Sequence, residues 1–203
     1  MSHDKILKFR EQLPFLKGQC FLNYAATCPV PQSSLQVMQD EIADMQEPLG
    51  KHFYKSLNKI EFVRKNLASF LGAHPAEIAF VQNTSSAVST IALALKLQKG
   101  DRVLVPDNEF PSNFYAWKNL ESFGVEAVPF KMESGKSITE ILSKQDLRNV
   151  RAISLSAVSF ETGLRVDLKE FADFCRAKNI YSVVDAIQAI GTTPLDLSLI
   201  HIS

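Results

Sequence analysis

Residues 181–191 read YSVVDAIQAIG. Val183 and Val184 have the character of a buried strand, yet Asp185 follows at once and Gln188 comes soon after. An unpaired carboxylate is costly to bury. A core strand that ends on one should therefore face something that wants a negative charge. A plainer reading is that Asp185 caps the next segment, as Asp commonly does. A second stretch, QNTSSAVSTIALAL, places Asn83, Thr84, Ser85 and Ser86 ahead of a helical stripe of Val88, Ile91, Ala92 and Leu95. Unused backbone N–H groups, the positive end of a helix dipole and several hydroxyls meet there, which suits a phosphate. An ordinary N-cap explains the same residues. In the third stretch, DNEFPSNFYAW, Phe110 is either a core aromatic or a ring lying over a flat ligand. Such stacking adds about 0.5–1.5 kcal/mol beyond burial.

These residues need elements that hold them. An N-terminal helical stretch precedes the apolar piece CFLNYAATCPVP, and residues 33–47 and 56–71 have a helical pattern. In the latter Ile60, Val63, Leu67, Phe70 and Leu71 share a face, and Gly72 stands where a helix stops. Strands are then expected at 77–81, 101–106, 125–130, 150–158 and 180–185. Helices are expected between them at 85–97, 113–122, 137–144 and 168–178. That alternation predicts an α/β fold with a mostly parallel sheet and helices on both faces. Ligands of such sheets bind beyond the strands' carboxyl ends, where Asp185 lies.

The bulk composition narrows the choices. The chain has 203 residues, 46% of them hydrophobic, and 22 basic against 22 acidic side chains. It has no basic field for nucleic acid and no apolar run of membrane-spanning length. Cys20, Cys28 and Cys175 are too few and too scattered for a disulfide framework or a metal site. Cys28 reads as a small buried residue, and Cys175 continues the core stripe of Leu168, Phe171 and Ala172. No two glycines have G-x-G spacing, and G-K-[ST], G-x-S-x-G and H-E-x-x-H are absent. Nicotinamide, P-loop, serine-hydrolase and zinc-protease chemistries lose ground. A cytoplasmic protein is the expectation.

Five segments in order, FLNYAATCPVP, NTSSAVSTIA, GDRVLVPDNEFPSNFYAW, SFETGLRVDL and VVDAIQAIG, resemble the class V aminotransferase family of pyridoxal-phosphate enzymes. That family includes cysteine desulfurases, kynureninases and isopenicillin-epimerase-like proteins. The resemblance implies the large domain of a fold-type-I pyridoxal-phosphate-dependent transferase. It implies that Asp185 pairs with the cofactor's ring nitrogen, Gln188 touches the ring hydroxyl, Thr84, Ser85 and Ser86 take the phosphate, and Phe110 stacks on the ring. Asn23, Tyr24 and His52 become substrate-side candidates, although a surface or helix-start position explains His52 as well. The substrate would be a small amino acid and the enzyme a homodimer.

The chain also departs from the pattern. Phe160 stands where desulfurases usually carry an Asn, and the F-P-S run at Phe110 resembles the kynureninase and epimerase-like branches. The family's Schiff-base lysine follows the V-D-x-x-Q strand, and no lysine follows Asp185 here. The expectation is therefore the truncated front part of a longer enzyme, with no catalytic residue of its own and SLIHIS as a truncation scar. Residues 1–50 would contribute to a small domain and the site entrance, and 51–203 would form an incomplete cofactor-binding large domain. A non-catalytic pyridoxal-phosphate-binding module and an inert fragment are the alternatives.

Overall fold

The computed structural model describes residues 3–46, 48–193, 195 and 197. The expected scar at 198–203 lies outside the described residues. Two compact units are present, Met1–Lys65 and Asn66–Ser203. The first carries helices α1 (His3–Glu11) and α2 (Gln32–Asp44) and most of α3 (Leu49–Leu71). Leu13 and Leu16, around a short 3-10 turn, are its buried apolar residues, and α2 buries none. At the end of α3, Gly72 takes φ 68° and lets Ala73 N–H reach back to Ala68 O at 2.9 Å. This is a Schellman closure, which a left-handed glycine permits without strain.

The second unit continues with α4 (Thr84–Ala94), β1 (Arg102–Pro106), α5 (Pro111–Lys118), β2 (Glu126–Phe130) and α6 (Ile138–Leu142). It ends with β3 (Val150–Ser156), α7 (Leu168–Lys178) and β4 (Tyr181–Asp185). Among the described residues these four strands pair in parallel, in the order β2-β1-β3-β4. Side chains alternate across the pleat. Leu104 and Ile153 pack with Ile141, Leu142, Phe171 and Cys175 of α6 and α7 on one face. Val103, Ala152 and Val183 pack with Val88 and Ala92 of α4 and with Ala116 and Trp117 of α5 on the other. The chain leaves β1 on one side for β2 and returns on the other for β3. A crevice therefore opens at the carboxyl ends of β1 and β3, the switch point of such sheets.

Local chemistry explains the element ends. Asp167 accepts from Glu170 N–H at 3.0 Å to start α7, and left-handed Asn179 ends it. Ser137 and Glu140 form a reciprocal capping box for α6. Pro111 starts α5 two residues earlier than the sequence pattern suggests, because proline is pre-set for a first helical position.

Several expectations are corrected. Residues 78–81 carry no strand assignment among the described residues. Their start is drawn into a 3-10 turn at Pro75–Glu77, capped by His74 and Glu77. Helix α3 begins at Leu49, ahead of the expected residue 56, and its Ile60, Val63, Leu67 and Phe70 are exposed. In α4, Val88 and Ala92 are buried but Ile91 is exposed. Cys28 is exposed rather than buried, since it lies in the irregular segment before α2. Cys175 is buried as expected, and burial pushes its thiol up to about 12.

Two outcomes follow for the folded chain. Ile153, fully buried at the centre of β3, should cost about 2–5 kcal/mol when replaced by alanine, measured by urea unfolding. A thiol reagent at neutral pH should modify Cys20 and Cys28 quickly, and Cys175 only after denaturation, counted by mass spectrometry.

Candidate functional site

Asp185 ends β4 at 8% exposure, on the sheet face that α4 and α5 cover. Its Oδ1 accepts Ile187 N–H at 2.9 Å, so the capping reading is correct for one oxygen. Its Oδ2 is buried and has no hydrogen-bond partner. Among the described residues Asp185 forms no ion pair. An acceptor left in that state costs about 1–3 kcal/mol, and more when charged. A cationic N–H donor entering from the crevice would satisfy it. Gln188 sits half-buried in the turn that follows, where its carbonyl accepts Thr192 Oγ1 at 3.0 Å.

The first turn of α4 lies at the same edge. Asn83 Oδ1 accepts Ser86 N–H at 2.9 Å, the ordinary cap. The N–H groups of Thr84 and Ser85 stand in the first turn, where a helix offers no internal acceptor. Ser85 Oγ donates to Ser112 Oγ at 3.0 Å, which brings the amino ends of α4 and α5 together. Phe110 is the N-cap of α5 and is 43% exposed, so it is not a core aromatic. Its ring meets the Phe160 ring edge-on, with centroids 5.1 Å apart and an interplanar angle of 85°. The cofactor candidates Thr84, Ser85, Ser86, Phe110, Asp185 and Gln188 thus all stand at one edge of one unit.

The substrate-side candidates belong to the other unit. Asn23 O accepts Ala26 and Thr27 N–H, both at 3.3 Å, in a turn, and the Tyr24 ring packs edge-on to Phe21 at 5.1 Å. His52 lies on α3, with Nε2 3.4 Å from both Glu41 Oε1 and Ser56 Oγ. Ser56 Oγ also donates directly to Glu41 at 2.7 Å. One imidazole nitrogen faces both neighbours, so the group lacks the two-ended relay of a nucleophilic triad. Lys59 binds Glu41, and this pairing holds the Glu41 carboxyl below its usual range.

The sequence pattern missed Glu109, Ser112 and Ser156. Glu109 Oε1 accepts Phe110 N–H at 2.8 Å and Ser156 Oγ at 2.5 Å, and Oε2 accepts Ser156 N–H at 2.7 Å. No local pattern marks it, since the acid just past β1 is Asp107 and the partner Ser156 is far away in sequence.

A charge-seeking carboxylate, a helix amino end and an exposed ring face on one crevice suit a planar, cationic, phosphorylated ring. Comparisons with known proteins agree. The Aminotransferase class-V family profile matches residues 20–202. A probable cysteine desulfurase of Methanothermobacter thermautotrophicus is 29% identical over 94% of this chain and 49% of its own length. Cysteine desulfurase IscS of Serratia proteamaculans is 27% identical over 92% of this chain and 49% of its own length. The chain therefore spans about half the length of the curated relatives it matches. A C-DES variant solved with glycine covalently linked to its pyridoxal-phosphate cofactor shares the fold. Its TM-score is 0.89 at 21% identity, over 96% of this chain and 53% of that one. The apo cysteine desulfurase of Thermococcus onnurineus NA1 gives 0.84 at 20% identity, over 96% and 50%. With the parallel α/β sheet and the family profile in agreement, the chain belongs to the class-V aminotransferase family.

Proposed function

We propose that this chain is the cofactor-holding part of a pyridoxal-phosphate-dependent enzyme that acts on a small amino acid. The buried, unpartnered Oδ2 of Asp185 carries the reading. Bound pyridoxal phosphate supplies an electron sink through its protonated ring. Asp185 would hold the proton on the ring nitrogen, its carboxylate charge matched by the cation. Thr84, Ser85 and Ser86 would take the phosphate at the amino end of α4. Phe110 would cover one ring face and keep water from it, and Gln188 would reach the ring hydroxyl. The substrate side is assigned to Asn23, Tyr24 and His52. No residue of the chain is assigned the covalent link.

The amino-acid substrate is supported by relatives named as cysteine desulfurases. A homodimer belongs to the same proposal. Exposed Val37, Met38 and Ile42 on α2, Met45 at its C-cap, and Phe53 and Tyr54 on α3, are apolar surface that a second copy would cover. Among the described residues no helix is long and apolar enough to cross a membrane, and a cytoplasmic setting is proposed with it.

Titration of the full chain with pyridoxal phosphate tests the reading. The cofactor should show a saturable change in absorbance and acquire a circular-dichroism band. Asp185→Asn should weaken binding about ten- to hundredfold, the loss of a charge-assisted hydrogen bond. A spectrum equal to that of free cofactor, or equal affinity in the variant, would refute it.

A further inference from the structure

The turn after β1 is fastened at three successive residues to the carboxyl end of β3 and the loop beyond it. Asn108 Nδ2 donates to Glu161 Oε2 at 3.2 Å, Glu109 takes both donors of Ser156, and Phe110 packs against Phe160. The loop is closed on itself by backbone bonds. Val158 and Arg165 form an antiparallel bridge, and Ser159 N–H donates to Leu164 O at 2.9 Å. Of the three fastenings, Glu109 makes the most hydrogen bonds. It is half-buried, forms no ion pair among the described residues and accepts three hydrogen bonds. The cavity beside it, about 20 Å³, has room for about one water molecule.

What Glu109 joins is informative. One of its donors is the backbone of Phe110, the candidate ring cover. The others belong to Ser156, the register partner of Asp185, and the next residue, Ala157, donates its N–H to Asp185 O at 2.8 Å. A single carboxylate therefore spans the β1/β3 crevice and ties the residue above it to the strand pair that ends in Asp185. We infer that Glu109 is a positioning residue that sets the gap between Phe110 and Asp185, and hence the fit of the cofactor ring between them. The inference rests on the cofactor reading above. Glu109 would touch neither cofactor nor substrate.

Glu109→Gln is the sharpest probe. The amide keeps the size, but one of its two ends becomes a donor. In either orientation that end meets an N–H or hydroxyl that already donates. In the full chain, the Phe110 and Ser156 amides should exchange hydrogen about tenfold faster, measured without cofactor, and pyridoxal phosphate should bind about tenfold more weakly. The circular-dichroism band of the bound cofactor should change in size or sign. Ser156→Ala removes one donor of three and should give a smaller shift in the same direction. The double variant should be no worse than Glu109→Gln, because the two side chains share one interaction. If Glu109→Gln does not fold, Ser156→Ala carries the test. A purely structural role would lower the melting temperature and leave the band and the affinity of the folded variant unchanged, and that result would overturn the inference. No cofactor band in the unsubstituted chain would sink the cofactor reading instead. The exchange rates, which need no cofactor, would then still show whether Glu109 holds Phe110 to Ser156, and unchanged rates would overturn that too.

Discussion

Parallel strands point one way, and every feature of the candidate site depends on that direction. Four strands that run together deliver their carboxyl ends to a single edge, and the turn beyond each end opens there. The α4–α5 pair adds two helix amino ends to the same edge through Ser85 and Ser112. Positive dipole ends and a strand-end carboxylate are thus neighbours by topology, before any side chain is chosen. An antiparallel sheet of the same composition would spread these groups over two edges. At the strand end the polar cost falls on Asp185, where one oxygen is satisfied by the turn and the other is not.

Where periodicity and cap chemistry acted together, the sequence was a good guide to the fold. Helix α7 has an Asp cap, a clean stripe and a left-handed Asn stop, and its bounds match expectation. Strand β4 was legible because a short apolar run ended on an acid. The candidate residues of the second unit stood out for a related reason, since caps, a Pro after an aromatic and a strand-end acid all leave local marks. Residues 78–81 show one limit, because a short apolar run reads the same in a strand and in an irregular segment. Glu109 shows another. A lone Glu has no spacing signature, and its three donors come from residues one and 47 positions away, as the Ser156 bonds show.

The first unit obeys a different limit. Its helices have apolar stripes, and the stripe predicts which face wants cover without naming the cover. Leu35, Val37, Met38 and Ile42 are exposed on α2, although the pattern resembles that of a core helix.

Helix α5 has one further consequence. Its Asn113 is fully buried. Asn113 Oδ1 accepts Trp117 Nε1 at 3.2 Å and Ser154 Oγ at 2.5 Å, which keys the helix to β3. The Asn113–Trp117 bond lies within α5 and would travel with it, but a turn-long slip would strand Ser154 Oγ in the core, which favours one seating of the helix. Phe110, at its first turn, inherits that seating. The conformational entropy of placing the aromatic ring is therefore surrendered during folding rather than at the moment of encounter, and whatever enters the crevice meets a surface whose shape is already decided.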